Sequence, residues 1–333
     1  MIKIGINGFG RIGRMVLKAS LNDRDVKVVA VNDLGAPEIL AYLFKYDSVH
    51  GKFNGEVRSS ESSIFVNGNE IKVFNEKDPS HIPWGKLDVD VVIESTGIFL
   101  KKEDAMLHIK AGAKKVLLSA PAEGDDPVKM VVLGINEHEI DKKNDIILSN
   151  ASCTTNCLAP IVKVLNDNFG VKRGFFTTVH AYTADQSLMD AAHNKDPRRG
   201  RSAAVNIVPT SSGAAKSTAE VVPQLKGKLT GIALRVPVAD GSITDFVCEV
   251  NKHTSAEEIN ALFKNVADYH LKGVVEYSDE PLVSSDILGN RHSAVFDSAL
   301  TSVSDGTLVK VVAWYDNEYG YACRMVDIAK KMF

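Results

Sequence analysis

The feature that most constrains this chain is a glycine-spaced turn set between a strand-like run and a helical one. Lys3–Asn7 reads as a buried strand, Gly8-Phe9-Gly10-Arg11-Ile12-Gly13 follows at once, and Arg11–Leu21 carries helical patterning. A second strand, Val26–Asn32, ends beside Asp33, about twenty residues beyond Gly13. A glycine-rich turn alone says little, but strand, turn, helix, strand and acidic residue in this order form the fingerprint of a dinucleotide-binding βαβ unit. Gly8 permits the tight turn, Gly10 lets the backbone approach a pyrophosphate, and Gly13 allows close helix–strand packing. The helix N-terminus attracts the phosphate charge. Asp33 would accept hydrogen bonds from the adenosine ribose and repel a 2′-phosphate, which predicts NAD as the cofactor.

The alternation continues. Val89–Glu94, Lys115–Ser119 and Ile146–Ser149 are further apolar runs, with helical segments at Pro37–Leu43 and Glu103–Ala111. Continuous apolar runs suit parallel strands buried on both faces, so a Rossmann-type doubly wound α/β fold is expected. Gly51–Phe74 alternates in polarity and contains Asn67-Gly68, a hairpin dipeptide, so an antiparallel insertion should interrupt this sheet. Beyond residue 150 the strands lengthen, at Gly174–His180, Thr230–Pro237, Thr244–Val250 and Leu308–Trp314. Helical segments at Ser152–Asn168, Ser212–Val222 and Ser255–Leu271 accompany them, giving an α+β texture with a largely antiparallel sheet. A chain of 333 residues is long enough for two domains. The expected division is a dinucleotide-binding domain over 1–151, completed by a C-terminal helix within 317–333, and a catalytic domain over 152–316. Residues 181–206 lack periodicity, and loops of that length usually carry function.

Composition excludes several classes. Apolar residues at 44% and charged residues at 24% are ordinary for a globular protein. A net charge of −3 with no long Lys/Arg run leaves no electrostatic footprint for nucleic acid. No stretch approaches the ~20 apolar residues of a membrane span, and the N-terminus lacks the pattern of a signal peptide. Four scattered cysteines do not make a disulfide framework, so a reducing cytoplasm is expected. Their spacing and that of the histidines suggest no metal site.

The second constellation is Ser149-Asn150-Ala151-Ser152-Cys153-Thr154-Thr155-Asn156-Cys157, between a strand and a helical run. With Ser152 as N-cap, Cys153 stands in the first turn, where the helix dipole favours thiolate and should lower its pKa. That placement admits a reactive thiol and also a packing residue. Cys157, one turn deeper, reads as buried packing. His180 ends a strand that enters the long loop, as a candidate base or as a satisfied polar residue at a strand end. The other histidines, His108 among them, have no comparable setting.

At this point the chain resembles the phosphorylating glyceraldehyde-3-phosphate dehydrogenase family over its whole length. The matching segments are Ile6-Asn7-Gly8-Phe9-Gly10-Arg11-Ile12-Gly13-Arg14, Ala151-Ser152-Cys153-Thr154-Thr155-Asn156-Cys157-Leu158, His180-Ala181-Tyr182-Thr183, Ser211-Ser212-Gly213-Ala214-Ala215-Lys216 and Trp314-Tyr315-Asp316-Asn317-Glu318. The resemblance implies Cys153 as nucleophile and His180 as acid/base. An aldehyde would be attacked to give a hemithioacetal, hydride transfer to the nicotinamide would leave a thioester, and phosphate would release 1,3-bisphosphoglycerate. The His180 side chain and the Cys153 N–H would stabilise the oxyanion.

By the same resemblance, Thr183 and Arg235 grip the phosphate of glyceraldehyde 3-phosphate, and Ser152, Thr154, Ser212, Gly213 and Arg199 surround inorganic phosphate. Asn317 holds the nicotinamide carboxamide with Tyr321 nearby, and Arg11, Ile12, Thr96 and Ser119 join the glycines and Asp33 in the cofactor set. A homotetramer is implied. Without the resemblance, Arg199 belongs to a solvated basic loop, and Asn317 and Tyr321 read as a turn residue and a packing aromatic.

Two positions depart from the family pattern. Ser212 stands where Thr is usual, which keeps the hydroxyl. Ala191-Ala192 replaces the Leu-Pro pair usual in strictly NAD-dependent members and resembles members that accept NADP, so NAD is expected to be preferred with measurable NADP use. Two rival readings are an erythrose-4-phosphate dehydrogenase, which does not need the full second phosphate pocket, and a non-catalytic NAD-binding interaction protein, which would need only the first motif.

Overall fold

The computed structural model describes residues 1–126, 128–194 and 196–333. They form two compact units, one of residues 1–131, 137–152 and 322–333, the other of residues 132–136 and 153–321.

In the first unit the chain runs β1 (Ile2–Asn7), α1 (Arg11–Ser20), β2 (Val26–Asn32), α2 (Pro37–Lys45), a small ribbon β3 (Tyr46–Asp47) and β4 (Gly51–Lys52), then β5 (Val57–Ser60), β6 (Ser63–Val66) and β7 (Asn69–Phe74). It continues through β8 (Val91–Glu94), α3 (Lys102–Lys110), β9 (Lys115–Leu118) and β10 (Ile147–Ser149). The eight-stranded sheet has the order β10-β9-β8-β1-β2-β7-β6-β5. From β10 to β7 all neighbours are parallel, and β6 and β5 add on antiparallel. The expected insertion is therefore real but misplaced: it extends the sheet beyond β2 and does not interrupt it. Asn67 and Gly68 turn its β6–β7 hairpin with φ of 50° and 79°, as an Asn-Gly hairpin requires.

The β1, β8, β9 and β10 strands are wholly or largely buried because they lie inside the parallel sheet, and this explains their unbroken apolar runs. Chain order reverses at β1, which has β2 on one side and β8 on the other. A crevice at the carboxyl ends of such strands is where open α/β sheets take ligands. The loops after β1 and β8 meet there, with the Ser95 hydroxyl donating to Gly8 O at 2.7 Å.

The second unit holds α4 (Cys153–Phe169), β11 (Val171–Ala181), β12 (Val208–Ser211), α5 (Ala214–Val221), β13 (Leu229–Val236), β14 (Ser242–Val250), α6 (Ala256–Asp268), β15 (Val275–Ser278), β16 (Ala294–Ser304) and β17 (Leu308–Tyr315). Its seven strands are ordered β12-β13-β11-β14-β17-β16-β15, antiparallel except for β11/β13 and β15/β16. Helices α4, α5 and α6 pack on this sheet, and β14 alternates strictly between buried and half-buried positions. Phe175, Ile232 and Leu300 on its strands stay exposed.

The closing helix α7 (Tyr319–Lys331) passes into the first unit from Ala322 onward. There the Lys115 ammonium donates to Met332 O at 2.6 Å and Lys330 pairs with Asp23 at 2.5 Å. No helix among the described residues is long and apolar enough to cross a membrane.

Candidate active site

In the first unit, Asn7, Gly8, Gly10, Asn32, Asp33, Leu34, Glu76, Lys77, Ser95, Thr96, Ile98 and Phe99 line an open pocket of about 550 Å³. Gly8 has φ of 88°, and a Cβ there would sit 2.8 Å from Thr96 N. A Cβ on Gly13 would strike Gly8 O at 2.2 Å, so the helix can approach the strand only at glycine. Gly10 differs, because a Cβ there would meet nothing within 4 Å and would project into open space. A side chain at position 10 would thus take up room that a bound pyrophosphate needs, and as the N-cap of α1 Gly10 places nothing over the first-turn N–H groups. The donor set and the space both fit a dinucleotide.

Asp33 does more than face the pocket. Its Oδ2 accepts from Phe9 N at 2.8 Å and its Oδ1 from Gly35 N at 2.9 Å, so the same carboxylate clamps the glycine turn. Arg11 is drawn to Asp47, 2.9 Å away, whose side chain is buried and also lies 3.6 Å from Lys18. Although burial works against it, hydrogen bonds from the backbone N–H groups of His50 and Val49 and the charges of Arg11 and Lys18 lower the Asp47 pKa to about 2. Arg11 and Ile12 do not line the pocket. Ser119, after β9, donates its N–H to Glu94 O at 3.0 Å and does not line it either, whereas Thr96 does.

In the second unit, Cys153 opens α4 and His180 lies near the end of β11. Their facing atoms, Sγ and Nε2, are 3.5 Å apart. Two residues earlier the chain turns at Ala151, a buried non-glycine residue with φ of 54°, a conformation that costs about 1–3 kcal/mol and tends to be stored at functional sites. The thiol does not follow the helix-start expectation. Crowding by protein atoms pushes its pKa up, opposed by the Arg235 charge and hydrogen bonds with Thr154. Dipole stabilisation acts only within the first turn, and here loss of water outweighs it. Cys157 is fully buried, and burial pushes its thiol up as well, as suits a packing residue.

His180 is 4% exposed, and burial first and the Arg235 charge second lower its pKa to about 3, so the ring is neutral. Arg235, on the neighbouring strand β13, brings Nη1 to 2.5 Å from His180 Nδ1 and 3.2 Å from Ala181 O. The opposite edge of the site is a hydroxyl chain that the sequence does not announce. The Tyr315 hydroxyl lies 3.0 Å from Thr154 Oγ1 and 2.7 Å from Thr178 Oγ1.

The remaining site residues fall into two groups. Asp185 joins Thr183 to Arg199: it accepts from the Thr183 hydroxyl and from Arg199 Nη1. Arg199 also lines a cavity of about 500 Å³ with Thr210, Ser211 and Ile232. Ser212 and Gly213 form the entry to α5, where Ser212 Oγ accepts from Ala214 N at 3.3 Å. Asn317 is buried, and its Oδ1 accepts from the Ser242 hydroxyl at 2.5 Å while Ser242 Oγ accepts from Ala181 N. With Oδ1 so held, Nδ2 is the donor end of the amide, of a kind suited to an amide carbonyl. Tyr321 is buried, which pushes its phenol up. Asp316, beside Asn317, accepts from the N–H groups of Glu318, Tyr319 and Gly289 and so fixes the turn into α7.

The loop over residues 181–206, of which Lys195 lies outside the described residues, is tied by its own backbone. Ser187 N donates to Arg199 O, Ala203 N to Ser187 O, and Ala191 N to Gly200 O. Ala191 and Ala192 are exposed, as are Leu188, Met189, Val205 and Ile207.

Comparison with known proteins agrees with both halves of this description. Residues 2–102 match the profile "Glyceraldehyde 3-phosphate dehydrogenase, NAD binding domain", and residues 152–317 match "Glyceraldehyde 3-phosphate dehydrogenase, C-terminal domain". Glyceraldehyde-3-phosphate dehydrogenase 1 of Bacillus subtilis is 54% identical over 328 residues, covering 98% of this chain and 97% of its own. Glyceraldehyde-3-phosphate dehydrogenase 1 of Bacillus cereus is 55% identical over 332 residues, covering 100% and 98%. The Geobacillus stearothermophilus enzyme of that name is 53% identical over 328 residues, covering 98% and 97%. With profiles matching both units and identity above half along the whole length, the chain belongs to the glyceraldehyde-3-phosphate dehydrogenase family.

Proposed function

We propose that the chain is an NAD-dependent oxidoreductase that converts glyceraldehyde 3-phosphate and inorganic phosphate to 1,3-bisphosphoglycerate through a thioester on Cys153. The observation that carries this is the 3.5 Å approach of Cys153 Sγ to His180 Nε2 beside Arg235. Once substrate phosphate engages Arg235 and Nδ1 donates to Ala181 O, the neutral His180 ring takes the thiol proton at Nε2 as Sγ bonds to the aldehyde carbon. Because burial favours the neutral thiol, proton transfer accompanies bond formation and no standing thiolate is needed. His180 and the Cys153 N–H then hold the oxyanion. When bound, NAD would supply the acceptor for the hydride that leaves the substrate carbon. Phosphate oxygen attacks the resulting thioester, the C–S bond breaks, and Cys153 leaves with a proton returned by His180.

Arg235 and Thr183 serve the substrate phosphate, since a guanidinium fork and a hydroxyl complement its oxygens. Arg199, Ser212 and Gly213, with Ser152 and Thr154 at the start of α4, serve the attacking phosphate. Gly8, Gly10, Gly13, Asp33 and Thr96 hold the dinucleotide, with Arg11, Ile12 and Ser119 supporting them, and Asn317 and Tyr321 keep the cofactor role that the family resemblance implies. The exposed Phe175, Ile232 and Leu300 on the sheet, with Leu188 and Met189 on the long loop, support a homotetramer. The cytoplasm is the compartment in which four free cysteines stay reduced.

Iodoacetate labelling tests the chemistry. One label on Cys153 should abolish turnover and leave NAD binding intact. Full turnover after stoichiometric labelling of Cys153 would overturn the assignment.

A further inference from the structure

Beneath the dinucleotide pocket lies a charged group that the chemistry above does not use. Glu94, the last residue of β8, has no solvent exposure. Its Oε2 accepts from Asn7 Nδ2 at 2.6 Å and lies 3.0 Å from His108 Nε2. Its Oε1 accepts from Thr96 N at 2.8 Å and from the Thr96 hydroxyl at 2.5 Å. The His108 tautomer follows from its other neighbour, because Trp84 Nε1 lies 3.0 Å from His108 Nδ1 and an indole N–H can only donate. Nδ1 is the acceptor, Nε2 carries the proton, and Glu94 receives it. His108, without a recognisable setting in the sequence, is thus fully buried between a tryptophan and a carboxylate.

Four donors fill the acceptor directions of this carboxylate. A neutral amide of the same shape cannot replace it. Turned one way its NH₂ group meets Thr96 N–H, and turned the other way it meets the donors of Asn7 and His108. Either orientation leaves buried donors facing each other.

The network also leads outward. Asn7 Oδ1 accepts from Asn32 Nδ2 at 2.8 Å, and Asn32 in turn grips the Glu76 backbone, accepting from its N–H and donating to its carbonyl, each at 2.9 Å. Asn7, Asn32, Glu76 and Thr96 line the dinucleotide pocket, while Glu94, His108 and Trp84 do not.

We propose that Glu94 is the positioning residue of the dinucleotide site: held by His108, it orients Asn7 and Thr96 and, through Asn7, Asn32 and the Glu76 backbone, so that the pocket is formed before NAD arrives. A pocket formed in advance spends less binding free energy on ordering its walls. This rests on the assignment of the pocket to NAD.

The test is calorimetric titration of the purified full-length protein with NAD, with thermal unfolding of the same samples. Glu94→Gln should raise the NAD Kd about tenfold or more, the effect of buried donors left unpaired. His108→Asn keeps an acceptor for Trp84, loses the contact to Glu94, and should raise the Kd about threefold. The rate of Cys153 alkylation by iodoacetamide should not change in either variant. A purely structural Glu94 would lower the melting temperature of the unliganded protein and leave the NAD Kd at the wild-type value, and that result in a folded variant overturns the proposal. Should Glu94→Gln not fold, a wild-type Kd in His108→Asn overturns it instead. If wild-type protein itself fails to bind NAD, the cofactor assignment falls and not this relay.

Discussion

Arg235 Nη1 lies 2.5 Å from His180 Nδ1, and a guanidinium can only donate. In this arrangement Nδ1 is an acceptor and the ring proton sits on Nε2, aimed at Cys153. Such an imidazole donates to sulfur and cannot take its proton. The Ala181 carbonyl, 2.7 Å from Nδ1, is the alternative partner that would hold the reverse tautomer. An anion that engages Arg235 releases Nδ1 to donate to Ala181 and removes a charge that lowers the His180 pKa.

Substrate phosphate should therefore switch on the base. Glycerol 3-phosphate, which lacks the aldehyde, should speed alkylation of Cys153 by iodoacetamide by about tenfold at neutral pH, the equivalent of one pKa unit. Arg235→Gln should lose the acceleration. An alkylation rate indifferent to the phosphomonoester in wild-type protein would contradict the coupling.

The depressed His180 pKa also shapes stability. Between about 3 and the ordinary 6.5, the unfolded chain binds a proton that the folded chain does not, so stability falls as pH drops through that window. At pH 4 the loss from this group alone amounts to about 3 kcal/mol. Denaturant titrations of wild type and His180→Gln at pH 7 and pH 4 should show a smaller acid penalty in the variant. Equal penalties would mean that His180 is not held neutral by the fold.

The two cysteines of α4 should separate cleanly. Cys153→Ala should abolish turnover without a change in fold, and His180→Asn should lower kcat by about 10²–10⁴. Cys157→Ala should retain most activity and lose about 1 kcal/mol of stability, because it opens a small gap in a fully buried position. Loss of activity in Cys157→Ala comparable to that in Cys153→Ala would reassign the nucleophile.

Cofactor choice is expected to draw on two distant segments of sequence. Asp33 is anchored by the N–H groups of Phe9 and Gly35, so a 2′-phosphate would meet a charge that cannot swing aside. Ala191 and Ala192 are small and exposed. The ratio of kcat/KM values should favour NAD with NADP turnover detectable, and Asp33→Asn should shift it toward NADP. Undetectable NADP turnover in the wild type would show that Ala191 and Ala192 confer no tolerance.

Much of this architecture was legible because local pattern and global role agree. β2 runs from Val26 to Asn32 as its apolar run predicts, and Cys153 and His180 stand at the element boundaries that marked them. Other parts were hidden. β16 reads poorly as a strand because Asp, Ser and Thr break its pattern, and its pairing with β17 slips between Asp297 and Ser302, where Asp297 accepts from Trp314 Nε1. β12 and β15 have only four residues each, too few for periodicity to show. Within the sites, Tyr315 meets Thr154 across 161 residues and Glu94 meets Asn7 across 87, separations that no local signal bridges. The Cys153 pKa ran against the dipole argument because dehydration by surrounding atoms cannot be read from a helix start.

The central claim is thiol-dependent oxidation coupled to phosphate uptake, and the most direct measurement is NADH formation from glyceraldehyde 3-phosphate with and without inorganic phosphate, alongside erythrose 4-phosphate. The account predicts rapid turnover of the triose only when phosphate is present, with the tetrose much slower. Turnover indifferent to phosphate, or a strong preference for erythrose 4-phosphate, would contradict it.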